Sequence, residues 1–155
     1  MTDRIPQDGT VLIALTSADH RTLRAAAEIG HELSLRGLRP LITTAADVPS
    51  LAGVRAVVLG GAWDRPWARS VARRFLRRHR VVLRVRPLWM FDAAPAGGAH
   101  PHPAPAPELE LRAPVQAPGA DGWGAWAATV AAELAAAGPA PDGGQGAAAG
   151  TAVAR

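Results

Sequence analysis

Residues 54–80 read VRAVVLGGAWDRPWARSVARRFLRRHR, and this stretch decides the fold class. Val57, Val58 and Leu59 are consecutive apolar residues without alternation, which is typical of a strand buried on both faces of a parallel sheet. The pattern then changes to a helical period that begins with Pro66, a residue that costs no hydrogen bond in a first helical turn. One stripe of this helix is apolar: Ala68, Val71, Ala72, Phe75, Leu76 and His79. The stretch predicts a strand, a short loop and an amphipathic helix over 66–80.

The same succession occurs earlier in the chain. Residues 11–15, VLIAL, predict a strand, and residues 22–36, TLRAAAEIGHELSLR, predict a helix that Gly37 ends. A very short connection then leads to a second strand at 39–44, RPLITT.

Three further segments complete the pattern. PLWMF at 87–91 predicts a fourth strand, ELELR at 108–112 an edge-like fifth, and the segment from Asp121 to Gly138 a closing helix. Alternating strands and helices favour parallel strands joined by right-handed crossovers. The predicted fold class is α/β, a three-layer α/β/α sandwich around a parallel sheet of four to five strands.

The chain has 155 residues, which suits one domain. We expect a flexible N-terminus at 1–9, a domain at 10–137 that includes a Pro/Ala-rich loop at 93–107, and a disordered tail at 138–155.

All 17 basic residues are Arg, and the formal net charge is +4. The absence of Cys excludes disulfides, thiolate catalysis and cysteine-ligated metal sites. The first apolar run is too short to span a bilayer, so a soluble, cytoplasmic protein is expected.

The order of these motifs is similar to a known family. The strand VLIAL, the turn TSADHRT, the segment AVVLGGAW, the Arg-rich helix and RPLWMF together resemble the flavodoxin-domain proteins related to menaquinone-dependent protoporphyrinogen oxidase. The resemblance covers residues 10–92 and is strongest over 56–91. It implies a flavodoxin-like sheet and a site for flavin mononucleotide (FMN).

The resemblance places the FMN phosphate in the turn after the first strand. Hydroxyl groups, backbone amides and a helix N-terminus together solvate such a dianion. The implied phosphate-binding residues are Thr16, Ser17, Arg21 and Thr22. This chain departs from the family pattern in having His20 where a glycine is expected, and Asp19 adds a negative charge. Ser17 and Thr22 could equally serve as simple helix caps.

A second implied loop follows the third strand. Its candidate flavin-binding residues are Gly61, Ala62 and Trp63, with the indole of Trp63 stacking on the isoalloxazine ring. A tryptophan at this position can also simply cover the end of the sheet. In a third loop, Asp92, Ala93 and Ala94 stand where small polar residues would contact the ring edge.

Two functional readings follow from the resemblance. The first is an FMN-binding electron carrier or oxidoreductase, with an unidentified redox partner and no assigned catalytic residue. The second is a flavodoxin-fold relative that has lost FMN and acts as a binding or scaffolding module. Neither reading defines an oligomeric state.

Two other features carry weaker signals. The Arg-rich face of helix 66–80 lacks the interleaved aromatic residues of a nucleic-acid surface, so no nucleic acid and at most peripheral membrane contact are expected. His100 and His102, in the sequence HPHP, could ligate a metal ion. No third ligand is evident in the sequence, and therefore no metal is predicted.

Overall fold

A computed structural model describes residues 9–104, 109, 111–119 and 121–138. The predictions for the flexible N-terminus and the disordered tail lie almost entirely outside these residues. The strands within the described residues are β1 (Thr10–Leu15), β2 (Arg39–Thr44), β3 (Val54–Gly61) and β4 (Leu88–Asp92). The helices in this part of the chain are α1 (His20–Leu35), α2 (Pro66–Arg78), α3 (Arg80–Leu83) and α4 (Gly122–Ala137). A 3₁₀ turn lies at Ala45–Asp47.

The four strands form a parallel sheet in the order β2-β1-β3-β4. The chain goes from β1 outward to β2, then crosses to the other side of β1 to form β3 and β4. The strand order therefore reverses between β1 and β3. Ligand crevices of open α/β sheets form at such a switch point, outside the carboxyl ends of the strands.

Helices cover both faces of the sheet, which confirms the predicted three-layer sandwich. One face packs against α1 and α4 and has a core that includes Ile13, Ile29 and Phe91. The other face packs against α2, with a core that includes Leu59, Phe75 and Met90. Every residue of the central strand β1 and of the edge strand β4 is buried, because both faces of the sheet are covered at these strands.

Several local predictions need correction. α1 begins at His20, two residues before the predicted start, because Asp19 accepts a hydrogen bond from the Thr22 amide and caps the helix. Leu23 in the first turn of α1 is 48% exposed and Trp67 in the first turn of α2 is 53% exposed, so neither side chain belongs to the core. By contrast Trp89 and Trp126 are buried.

The predicted fifth strand is also not seen in the described residues. Glu108 and Glu110 lie outside them, and the neighbouring segment makes only isolated bridges, Leu88 with Leu111 and Phe91 with Gln116. Residues 93–104 contain no helix or strand, yet they are not detached from the domain. Pro103 is buried, and this segment returns to the carboxyl end of β4.

A charged side chain attaches the closing helix to the sheet. Arg55, near the start of β3, donates one hydrogen bond of 2.7 Å to the Leu134 carbonyl and another of 2.9 Å to that of Gly138. These carbonyls belong to the last turn of α4 and its cap, which a helix cannot satisfy internally. None of the described helices is long and apolar enough for a transmembrane span.

Candidate ligand site at the carboxyl edge of the sheet

The turns after β1 and β3 meet at the switch point. The Thr16 amide donates a 2.8 Å hydrogen bond to the Gly60 carbonyl, and the Ala62 amide donates one of 3.0 Å to the Ser17 hydroxyl. The structure thus brings together the predicted residues of the first and second loops. Their mutual hydrogen bonds join the loops directly to each other.

The hydroxyls of the first turn contact a carboxylate of the same turn. Ser17 Oγ and Thr22 Oγ1 each donate a 2.7 Å hydrogen bond to Asp19 Oδ1, and the Thr22 amide donates one of 3.2 Å to Asp19 Oδ2. Ser17 and Thr22 are buried. The groups that were predicted to hold a phosphate therefore already bind an anion that is part of the chain.

Asp19 is ionised in this arrangement. Burial works to raise its pKa, but hydrogen bonds from the Ser17 and Thr22 side chains and from backbone amides outweigh burial, and the net pKa lies below its ordinary value. The carboxylate also lies at the N-terminus of α1, where the helix dipole stabilises negative charge.

The two bulky residues of the turn do not enter this cluster. His20 and Arg21 begin α1, and both are exposed to solvent. Arg21 lies on the first turn of α1 beside the cluster, and its contact with a phosphate stays a prediction. Among the departures from the family pattern, Asp19 is the one whose side chain contacts Ser17 and Thr22.

Trp63 is fully buried, with no exposed surface. Its indole nitrogen donates a 2.9 Å hydrogen bond to Thr16 Oγ1, and its ring belongs to the core beneath α2. Arg69 on α2 donates a 2.6 Å hydrogen bond to the Trp63 carbonyl. The geometry agrees with a tryptophan that covers the end of the sheet, since no ring face is available for stacking on a flavin.

The two glycines that end β3 permit this close packing. A Cβ atom on Gly61 would lie 2.0 Å from Thr16 Oγ1 and 3.0 Å from Trp63 Nε1, and one on Gly60 would lie 2.0 Å from the Phe91 ring. A side chain at either position would displace buried neighbours. Gly61 therefore permits the close approach of Thr16 and Trp63 at the switch point, and its predicted contact with flavin stays a prediction.

The third loop contains a cluster that the sequence did not reveal. Asp92, the last residue of β4, accepts hydrogen bonds at Oδ1 from the amides of Trp63 (3.1 Å) and Ala94 (3.0 Å). Its other oxygen, Oδ2, faces two imidazoles, with His100 Nε2 at 2.5 Å and His102 Nε2 at 3.1 Å.

Asp92 is buried among these partners, its side chain being 4% exposed. Burial works to raise its pKa, but hydrogen bonds from the Ala94 amide, from His100 and from the Trp63 amide lower it by more, so that the carboxyl is ionised. The carboxylate thus has one oxygen held by the backbone and one directed at the histidines.

A cavity of about 560 Å³ adjoins the cluster. Its lining includes Asp92, both histidines, the intervening residues 94–99, and Ala117 with Pro118. The sequence signal that could have identified this cluster is a carboxylate at the carboxyl end of a strand, followed by two histidines on a loop short enough to return to it.

No family model and no curated protein matches this chain. The solved structures that are similar to it in fold include the following two. The rubredoxin oxygen:oxidoreductase of the anaerobe Desulfovibrio gigas aligns with 84% of this chain at 13% identity and a TM-score of 0.54. This chain spans 37% of the length of that protein.

The second structure is diflavin flavoprotein A3 from Nostoc sp., which aligns with 81% of this chain and 97% of its own length at 12% identity and a TM-score of 0.50. At such low identities the likeness bears on architecture alone. Together with the strand order β2-β1-β3-β4, these likenesses show that the chain has a flavodoxin-like α/β fold.

Proposed function

We propose that this chain is a flavodoxin-fold binding module that does not hold FMN in the loop after β1. The observation that carries the proposal is the carboxylate of Asp19, which accepts hydrogen bonds from Ser17, from the Thr22 hydroxyl and from the Thr22 amide. A phosphate in this loop would need the same donors.

A phosphate dianion and an ionised Asp19 would repel each other. Two unit charges 4 Å apart interact by about 4 kcal/mol near a protein surface, and a dianion increases that cost. The Asp19 side chain could move away only by giving up its hydrogen bonds to the start of α1. A capping interaction of this kind stabilises a helix by about 1 kcal/mol. Stacking would further require that the buried indole of Trp63 become exposed.

The second candidate is an FMN-binding electron carrier or oxidoreductase. It is favoured by Thr16, Ser17 and Thr22, whose hydroxyls lie at the switch point beside a helix N-terminus. One of the similar structures is described as a flavoprotein and the other as an oxidoreductase. The narrower resemblance to protoporphyrinogen oxidase-like flavodoxins stays a prediction. This candidate requires the Asp19 cluster to open.

A flavin titration distinguishes the two candidates. The purified full-length chain is expected to be colourless and to leave the fluorescence of added FMN unchanged. The matched variant is Asp19→Ser, which keeps a good helix-capping side chain and removes the charge. This variant is expected to bind FMN or inorganic phosphate more tightly than the wild type. Saturable quenching of FMN fluorescence by the wild-type chain at one equivalent would establish the flavoprotein and overturn our proposal.

A further inference from the structure

We propose that Asp92, His100 and His102 form a binding site for a divalent first-row metal ion. Each offers one ligand atom, and Asp92 Oδ2 and the two imidazole nitrogens all lie within 4.8 Å of one another. Ligands to a common metal at about 2.0–2.2 Å lie within a similar spread. Asp92, at the end of β4, is thus the third ligand that the HPHP sequence lacks.

The chemistry of the three groups favours zinc and its neighbours in the first transition row. Imidazole nitrogens suit Zn²⁺, Fe²⁺, Ni²⁺ and Cu²⁺, whereas Mg²⁺ and Ca²⁺ prefer sites made entirely of oxygen. Two histidines and one carboxylate also leave further coordination positions open, as in metal sites that take water or a substrate.

The carboxylate is already oriented for such a role. Backbone amides of Trp63 and Ala94 hold Asp92 Oδ1, which leaves Oδ2 for the imidazoles. Hydrogen bonds from the protein to the other oxygen of a ligating carboxylate fix the direction of the ligand and strengthen metal binding. Asp92 also ends β4, a strand paired along its length with β3, and a strand holds a ligand in a more defined position than a loop does.

The histidines reach the carboxylate from a segment with restricted backbone freedom. Pro101 separates them and Pro103 follows, and Pro103 is buried. The indole of Trp63 lies edge-on to the His102 ring, with 6.0 Å between ring centroids. The side chain of His102 is 42% exposed, and the adjoining cavity provides room for water or a further ligand.

The competing explanation is that both imidazoles only donate N–H hydrogen bonds to Asp92. The two explanations differ in the expected effect of added metal, because a bound metal ion would replace the hydrogen atoms of those N–H groups. The test uses the full-length chain without a polyhistidine tag, treated with chelator and titrated with ZnCl₂ by calorimetry. We expect one equivalent of Zn²⁺ to bind, and Co²⁺ in its place to give visible absorption bands.

The diagnostic variants are His102→Ala and His100→Ala, each expected to weaken Zn²⁺ binding by more than about tenfold. The matched control is His31→Ala, which removes an exposed histidine of α1 and should leave Zn²⁺ affinity unchanged. Zn²⁺ should also raise the melting temperature of the wild type and not that of His102→Ala, because a ligand stabilises the state that binds it.

Asp92→Asn provides a second variant, since its amide oxygen can still accept from the Trp63 and Ala94 amides. It should fold and bind Zn²⁺ more weakly than the wild type. The proposal is overturned if the wild-type chain binds no Zn²⁺, or if His102→Ala binds it as tightly as the wild type. The flavin titration tests the loop after β1, and none of Ser17, Asp19 and Thr22 is a ligand of the proposed metal site. Failure of one proposal is therefore distinguishable from failure of the other.

Discussion

The indole nitrogen of Trp63 donates a hydrogen bond of 2.9 Å to the hydroxyl of Thr16, which joins the turns after β1 and β3 across the switch point of the sheet. Both residues are buried. The bond therefore holds the two turns against each other at the carboxyl edge of the sheet.

Substitution of Thr16 tests the contribution of this bond. Thr16→Val keeps the shape of the side chain but leaves the buried indole N–H without an acceptor, and we expect a loss of about 1–3 kcal/mol in the free energy of unfolding. Thr16→Ser keeps the oxygen and should lose less. Urea denaturation measures both values. Equal losses in the two variants would show that the hydroxyl does not matter.

Gly61→Ala tests the close approach at the end of β3. The added methyl group would lie 2.0 Å from Thr16 Oγ1, and we expect destabilisation by about 1–3 kcal/mol from overpacking. The control is Gly124→Ala in α4, where a Cβ would meet only Glu32 Oε1 at 3.7 Å. That change should stabilise the fold by up to about 1 kcal/mol, because alanine is the better helix former. In thermal or chemical denaturation, the change in the free energy of unfolding should have opposite signs for Gly61→Ala and Gly124→Ala.

The pKa of Asp19 predicts a specific acid response. Its pKa in the folded chain lies below the ordinary value of 3.8, so its stabilising contribution is fully present above that value and is lost as pH falls through the folded pKa. Wild type should therefore be more stable than Asp19→Asn at pH 6. The difference should shrink steadily below pH 4. A difference that stays constant down to pH 2 would contradict this role.

His79 predicts that stability depends on pH near neutrality, a range above that of Asp19. Its side chain is buried, and its Nε2 atom has no hydrogen-bond partner among the described residues. Burial and the nearby Arg78 charge lower its pKa below the ordinary 6.5, while a hydrogen bond to the Val48 backbone acts in the other direction. The folded chain thus favours neutral His79, and stability should fall as pH decreases below about 6.5.

His79→Leu should reduce the dependence of stability on pH, since it removes the titrating group. The leucine would place an apolar side chain beside Phe75. The control is His31→Leu on the exposed face of α1, which should keep the pH slope of the wild type. Urea midpoints between pH 5 and 8 provide the measurement. Identical slopes for wild type and His79→Leu would exclude His79 as the group responsible.

Most of the architecture could be predicted from sequence because its elements repeat one simple pattern. Apolar runs such as VLIAL predicted strands buried on both faces, and the helical stripe from Ala68 to Leu76 predicted α2. Element ends were less accurate. Asp19 was interpreted as an intruding charge in the turn, whereas its capping hydrogen bond to Thr22 moves the start of α1 to His20.

The candidate site was harder to predict, because it depends on which polar side chains form hydrogen bonds with one another. Sequence placed Ser17, Thr22 and Trp63 at the switch point, and they do lie there. It could not show that Asp19 would take the hydroxyl donors, or that the indole would point into the core. Asp92 and His100 come together only because the proline-rich loop returns to β4, and no periodic pattern marks that return.

Arg55 has a practical consequence for constructing fusions of this protein. By binding the carbonyls of Leu134 and Gly138, it fixes the end of α4 at the start of β3. Gly138 is therefore at the amino-terminal edge of the parallel sheet. Asp92, which ends β4, and Ser17, which follows β1, lie at the opposite, carboxyl edge. A fluorescent label or an immobilisation handle attached at Gly138 would lie at the edge of the sheet away from the Asp92 cluster, which leaves that cluster accessible for surface-based binding assays.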